Sequence, residues 1–291
     1  MRIALFGKTF NPGFNTYIKE LLGLFESHHI ELVVYKPFLD FINCETGTNI
    51  NVHGIFTGAE DFDRDAELLV NIGGDGTFLE SIPFVVREQI PVIGINSGRL
   101  GFLANISKEN ITEAFDSIFN GDHTYEFRTI IKIRKPETIF NGLNFALNDI
   151  VIKSNTSLIT IEAYINDEFL NTYWTDGLII STPTGSTAYS LSVGGPVVVP
   201  GSGNLIIAPI SSHNLSVRPL IIPDTNVIKL KVFSRRDSYT VTADNRTTQA
   251  ITGEVFEIVK SDYKLKMVKL PNTSFYETLR NKLKWGEDAR N

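Results

Sequence analysis

Residues 68–81 read LLVNIGGDGTFLES, and the order of residue types in this stretch sets the fold class. A short apolar run enters a glycine turn and leaves it as the helical pattern TFLESIPFVVR (77–87). A strand that turns through glycines into a helix is a unit of a doubly wound α/β sheet, whose ligands bind beyond the carboxyl ends of the strands. The turn carries one acid, Asp75, between Gly74 and Gly76. Unpaired backbone N–H groups at such a turn carry the positive end of the helix dipole and form an anion cradle, to which Thr77 adds a hydroxyl. Asp75 can cap the helix or serve a ligand. The turn alone leaves both readings open.

Outward from this stretch the alternation continues. RIALFG (2–7) reads as a strand, and Ile18, Leu21, Leu22 and Phe25 follow at helical spacing. ELVVY (31–35) and AELLVNI (66–72) are apolar runs of the kind buried in a parallel sheet, and PVIGI (91–95) is another strand. Ile111, Ala114, Phe115 and Ile118 mark an amphipathic helix that begins near Ser107. Residues 1–125 are therefore expected to form an α/β domain. Beyond them EFRTIIKIRK (126–135), NFALNDIVIK (144–153), LITIEAYIND (158–167), NLIIAPI (204–210), VIKLKVF (227–233), SYTVTAD (238–244), EVFEIVK (254–260) and KLKMVKL (264–270) are all strand-like. They predict an all-β domain of two packed sheets over residues 126–272. The closing segment, 273–291, contains SFYETLRNKLKW (274–285). Ser274 and Glu277 have capping-box spacing, and Phe275, Leu279 and Leu283 share a face, expected to pack back on the first domain.

Composition narrows the function classes. The 291 residues carry a formal charge of −6, so the surface as a whole does not favour nucleic acid or an anionic membrane. Cys44 is the only cysteine, which excludes an internal disulfide and fits a reducing compartment. There is no run of about 18 apolar residues, and MRIALFGKTF (1–10) is too short in apolar residues for a signal peptide. A soluble cytoplasmic protein is expected. FGKT (6–9) ends like a P-loop, but the earlier glycine would fall at Arg2. GxGxxG is absent, TGSTA (184–188) is not G-x-S-x-G, and the histidines at 28, 29, 53, 123 and 213 lack zinc-site spacing.

Two further stretches can carry chemistry. TYWTDGLIISTPTGSTAYSLSVGGPVVVP (172–200) holds Asp176 before Gly177, then Thr182, Thr184, Ser186, Thr187, Tyr189, Ser190 and Ser192, punctuated by Gly185, Gly194 and Gly195. Hydroxyls at this density suit a loop that binds sugars, amides or phosphates, or a Ser/Thr-rich connector. ALNDIVI (146–152) sets Asn148 and Asp149 in an apolar strand pattern. Neighbours on a regular strand face opposite ways, so both serve one ligand only where the strand ends or bulges. Otherwise this is an edge strand with solvated polar residues.

Together GGDGT (73–77), the Asn-Asp pair at 148–149, TDGLIISTPTGSTAYSLSVGGP (175–196) and APISSHNLSVRPLIIP (208–223) resemble the NAD kinases, over about residues 67–250. GGDGT alone is shared with lipid kinases and phosphofructokinases, and the long second block is the more specific part. The resemblance implies an α/β domain, an all-β domain, a dinucleotide bound between them, and a homo-oligomer, dimer or tetramer. It implies NAD and ATP as substrates, with neither nucleic acid nor membrane as a partner. The terminal phosphoryl group of ATP would pass to the 2′-hydroxyl of the adenosine ribose of NAD. Asp75 would orient that hydroxyl and act as general base, while Gly74 and Gly76 let phosphates approach the backbone. Asn148 and Asp149 would bind the adenine or ribose, and Asp176 the far ribose or nicotinamide end. Thr187, Ala188, Tyr189 and Ser192 would line the pocket, with Thr77 and Asp244 as further candidates. The cofactor would be a divalent metal ion, Mg²⁺, held mainly by ATP phosphates and not by ligands from the chain.

The chain departs from the family at three places. Asn148-Asp149 stands where the family usually has Asn-Glu, Asp244-Asn245-Arg246 where it often has Asp-Gly-Gln, and Glu80 where many members have a small or basic residue. The competing readings are a lipid kinase of the diacylglycerol or sphingosine type, a sugar-phosphate kinase, and a non-catalytic dinucleotide sensor on the same fold. Binding without turnover would mark the sensor.

Overall fold

The strand that enters the glycine turn, Leu68–Gly73, is buried at every position, as an apolar run covered on both faces must be. It belongs to a computed structural model that describes residues 1–154, 157–214, 216–236, 238–271 and 273–286. The chain divides into two units, Met1–Phe127 with Leu265–Asn291, and Arg128–Lys264.

In the first unit β1 (Arg2–Gly7), α1 (Asn15–Ser27), β2 (Glu31–Tyr35), α2 (Lys36–Thr46), β3 (Gly54–Phe56), β4 (Leu68–Gly73), α3 (Asp75–Val85), β5 (Val92–Asn96) and α4 (Ile111–Phe119) follow one another, strand and helix alternating except between β3 and β4. The strands lie in the order β3-β2-β1-β4-β5 and all pair parallel. The helices bury the faces their spacing predicts: Ile18, Leu21 and Phe25 of α1, and Ile111, Ala114, Phe115 and Ile118 of α4. The sequence reading gives no element for 36–46, where α2 forms. Its signals are Pro37 in the first turn and Gly47 just past the end at φ 67°, a left-handed conformation that glycine adopts without strain.

The second unit holds β6 (Thr124–Lys135, from Arg128), β7 (Phe145–Ala146), β8 (Asp149–Lys153), β9 (Ile159–Ile165), β10 (Glu168–Thr175), β11 (Gly177–Ser181), the short α5 (Tyr189–Ser192), β12 (Asn204–Ile210), β13 (Leu220–Pro223), β14 (Ile228–Ser234), β15 (Ser238–Ala243), β16 (Arg246–Ile251) and the first part of β17 (Val255–Lys269). One sheet runs β13-β12-β11-β8-β15-β16, antiparallel throughout. The other contains β10-β9-β14-β17, with β6 beside β17 and β7 beside β6. Ile150, Ile152, Leu178, Ile180, Leu205 and Ile207 of the first meet Ile159, Ile161, Leu230 and Phe256 of the second in one core. The alternate residues Val151, Ile179 and Ile206 pack with Val198 instead. The central strands are thus apolar on both faces because the segment after the hydroxyl-rich stretch covers the outer one.

The last helix, α6 (Phe275–Leu283), belongs to the first unit. Ser274 caps it by accepting from the Tyr276 N–H, one residue earlier than the capping-box pairing. Among the described residues no helix is long and apolar enough to cross a membrane.

Candidate functional site

Within the first unit the strand order reverses between β1 and β4, so the switch point of the sheet lies where Gly7 and Gly73 end neighbouring strands. Ligands of such sheets bind there. Gly74 is the N-cap of α3, Asp75 its first residue, and no side chain caps the helix. Asp75 therefore does not cap. Its carboxylate turns to the loop after β5: Oδ2 accepts from the Phe102 N–H at 2.9 Å, and Oδ1 from the N–H groups of Leu103 and Ala104, each at 3.0 Å. Gly101 permits this approach, because a Cβ there would lie 1.9 Å from Asp75 Oδ1. Lys282 of α6 donates to Oδ2 at 3.4 Å. The backbone of the turn is bare: a Cβ on Gly74 or on Gly76 would meet nothing within 4 Å. The Thr77 side chain packs against Gly73, where a Cβ would lie 2.7 Å from it. Glu80 pairs with Lys8, just past the end of β1, at 2.7 Å. Gly101, the 102–104 backbone and Lys282 are absent from the sequence reading. No local pattern links them to residue 75.

In the second unit Asn148 and Asp149 stand where the chain enters β8. This strand lies between β11 and β15, so the edge-strand reading does not hold. Asp244, buried in the β15–β16 turn at φ 51°, accepts from the N–H groups of Leu147 (2.8 Å), Asn148 (2.8 Å) and Asp149 (3.2 Å). Its carboxylate thus positions the chain entering β8. Arg246 has its guanidinium 4.8 Å from the Phe145 ring centroid and 3.9 Å from Asp244 Oδ2. Asp149 is 6% exposed. Burial, and then the neighbouring Asp244, push its carboxyl up to about 7. Among the described residues none donates a hydrogen bond to the Asp149 side chain.

The hydroxyl-rich segment packs against this strand end. Thr182 N–H and Ser181 Oγ donate to the Asn148 carbonyl at 2.9 and 3.2 Å, and a Cβ on Gly185 would lie 2.1 Å from that same oxygen. Several hydroxyls serve the segment itself. Ser186 donates to the Pro183 carbonyl and accepts from the Val198 N–H, while Thr187 donates to the Thr184 carbonyl. Ala188 is half-buried, and Tyr189 and Ser192 are exposed. Asp176 and Tyr189 line a cavity of about 420 Å³ together with Lys153, Ser154, Ser157, Leu158 and Ile210. Lys153 Nζ stands 5.9 Å from the Tyr189 ring centroid.

Among the described residues no group of three or more His, Cys, Asp or Glu could hold a metal ion. A cation carried on a polyphosphate needs no such set, since Mg²⁺ keeps waters and commonly binds through substrate phosphates.

Residues 44–123 match the ATP-NAD kinase N-terminal domain and 147–270 the ATP-NAD kinase C-terminal domain. An NAD kinase of Flavobacterium johnsoniae is 44% identical over 100% of both chains, and one of Bacteroides fragilis is 38% identical, again over 100% of both. Among solved structures the fold is similar to that of yeast NADH kinase complexed with NADH, at a TM-score of 0.86 and 24% identity over 99% of this chain and 89% of that one. It is also similar to an NAD kinase from Archaeoglobus fulgidus in complex with ATP, at a TM-score of 0.73 and 23% identity over 98% and 99%.

Proposed function

The chain belongs to the NAD kinase family of phosphotransferases, and from that premise we propose that it phosphorylates NAD at the 2′-hydroxyl of the adenosine ribose, with ATP as donor. A bond forms between the 2′-oxygen and the γ-phosphorus as the bond from that phosphorus to the β,γ-bridging oxygen breaks. ADP leaves, and the hydroxyl proton passes to Asp75 and then to solvent. Phosphoryl transfer asks chiefly for positioning and charge neutralisation, so a weak base that accepts a late proton suffices. A divalent cation such as Mg²⁺, held by the donor phosphates, would supply part of that neutralisation.

The observation that carries this reading is the setting of Asp75. A carboxylate held by three backbone N–H groups stands on the first turn of a helix at the switch point of a parallel sheet. The uncapped N–H groups of α3, with open space at Gly74 and Gly76, suit the donor phosphates. Asn148 and the buried Asp149 bind the adenine or ribose, and Asp176 the far ribose or nicotinamide end. Tyr189 lines the cavity beside Asp176, and Thr187, Ala188 and Ser192 border the same dinucleotide from the neighbouring segment. Asp244 acts through the backbone of 147–149.

The direct test mixes protein, NAD, ATP and Mg²⁺ and reads NADP with an NADP-specific dehydrogenase against a no-donor control. NADP at catalytic rates is expected, and NAD binding without product would sink the kinase reading. The cradle has its own test in Gly76→Ala. Alanine is up to about 1 kcal/mol better than glycine in a helix, so thermal stability should hold or rise. The added methyl should nevertheless raise KM for ATP several-fold. An unchanged KM would remove the phosphates from this turn.

A further inference from the structure

The Asp75 carboxylate has one neighbour that the proposed reaction leaves unexplained. Lys282, in the last turn of α6, places Nζ 3.4 Å from Asp75 Oδ2 and 5.0 Å from the centroid of the Phe102 ring. The Phe102 ring in turn lies 6.2 Å from that of Phe275 at the start of the same helix. A carboxylate offers about four acceptor positions. Oδ1 is filled by the N–H groups of Leu103 and Ala104, and Oδ2 takes that of Phe102. The ammonium therefore occupies the one position left on Oδ2, the position a substrate hydroxyl would need.

Such a contact adds little to stability. Both side chains are about a third exposed, 33% and 29%, and ion pairs of that kind are weak. Its length and the flexible lysine stem make it easy to exchange. The competing anion is close by, because Asp75 begins α3 and the uncapped N–H groups of α3 are where donor phosphates fit. Lys8, another cation by the turn, is already neutralised by Glu80. Lysine is a compact point charge suited to phosphate.

Resting on the kinase reading, we infer that Lys282 is a donor-binding residue that exchanges Asp75 for the terminal phosphate of ATP. Before the donor binds, the ammonium blocks Oδ2. When ATP arrives, Lys282 moves to the γ-phosphate, stabilises the charge on it, and frees Oδ2 to accept the 2′-hydroxyl. Donor binding and exposure of the base are thereby one event.

The test compares Lys282→Met, which keeps the stem over Phe102 and removes the charge, with Lys282→Arg, in the full-length chain. Three readings are taken: binding of the Mg²⁺ complex of a β,γ-imido ATP analogue by calorimetry, KM and kcat for ATP at saturating NAD, and melting temperature. Loss of a charge-assisted contact predicts that Lys282→Met binds the analogue about 10- to 100-fold more weakly. KM for ATP should rise in step and kcat should fall, with the dissociation constant for NAD and the melting temperature near wild type. Lys282→Arg should recover most of the analogue affinity. Unchanged analogue affinity and kcat/KM in Lys282→Met would overturn the inference. So would a loss that tracks a fallen melting temperature and is not recovered by arginine, the mark of a residue that only clamps the helix. If the wild type binds the analogue but makes no NADP, the kinase reading fails while the binding comparison still decides the role of Lys282.

Discussion

Asp75→Asn is expected to lower turnover roughly 10²–10⁴-fold, the contribution of a positioned acid–base group, with affinity for NAD within a few-fold of wild type. The variant also has a structural consequence. An amide has one acceptor oxygen and one NH₂ donor, whereas both oxygens of Asp75 accept from the 102–104 loop. Whichever way the amide points, its NH₂ faces at least one backbone N–H, and the mismatch should cost about 1–3 kcal/mol. Turnover, NAD affinity and melting temperature therefore have to be read together. If Asp75 only holds the loop, the variant melts earlier yet the folded fraction turns over at a near-normal rate. That result would end its role as base. Gly101→Ala is the companion: it keeps the carboxylate but places a methyl 1.9 Å from the present Oδ1 position. It should also lose most activity, because the base is displaced from its three donors.

Asp149→Asn is expected to change stability in a pH-dependent way. The carboxyl is raised to about 7 in the folded protein, by burial and then by Asp244, against an ordinary value near 4 in the unfolded chain. Below pH 4 both states hold the proton and the residue contributes no difference. Between about 4 and 7 the folded state keeps the proton that the unfolded state has lost, so wild-type stability falls as pH rises through this window and levels off above it. The asparagine variant lacks this slope. Its advantage over wild type should be absent at pH 4 and grow to a ceiling of roughly 4 kcal/mol above pH 7, as urea midpoints at several pH values would show. A constant difference across pH would contradict the burial argument. NAD should reverse the effect: ligand hydroxyl or amino donors favour the carboxylate. Binding to wild type near pH 7 should then release a proton, seen in calorimetry as an enthalpy that varies with the ionisation heat of the buffer. Asp149→Glu, the residue usual in the family, should leave NAD affinity within a few-fold. A large loss would mean that this chain has rebuilt the pocket around the shorter acid.

What depends on local order was legible in the chain of residues. Apolar runs and glycine turns marked the strands, and 3.6-residue spacing gave the buried faces of α1 and α4. The succession of GGDGT, Asn148-Asp149 and the 175–196 block carried the family resemblance, since short-range composition reflects periodicity and turn chemistry. The segment 36–46 is not among the elements legible in the sequence, although Pro37 stands in its first turn and Gly47 just past its end. Tertiary structure alone decided what each polar group faces. Whether Asp75 caps its helix or meets a loop 27–29 residues away depends on Gly101 leaving room for the approach. Lys282 reaches Asp75 across 207 residues of chain, and Asp244 holds the chain entering β8 from 95–97 residues away. Ser186 and Thr187, two of the seven hydroxyls that looked ready for a ligand, bind their own segment. Hydrogen bonds and charge effects act over a few ångströms of space and are indifferent to separation along the chain. They become definite only when packing brings the partners together.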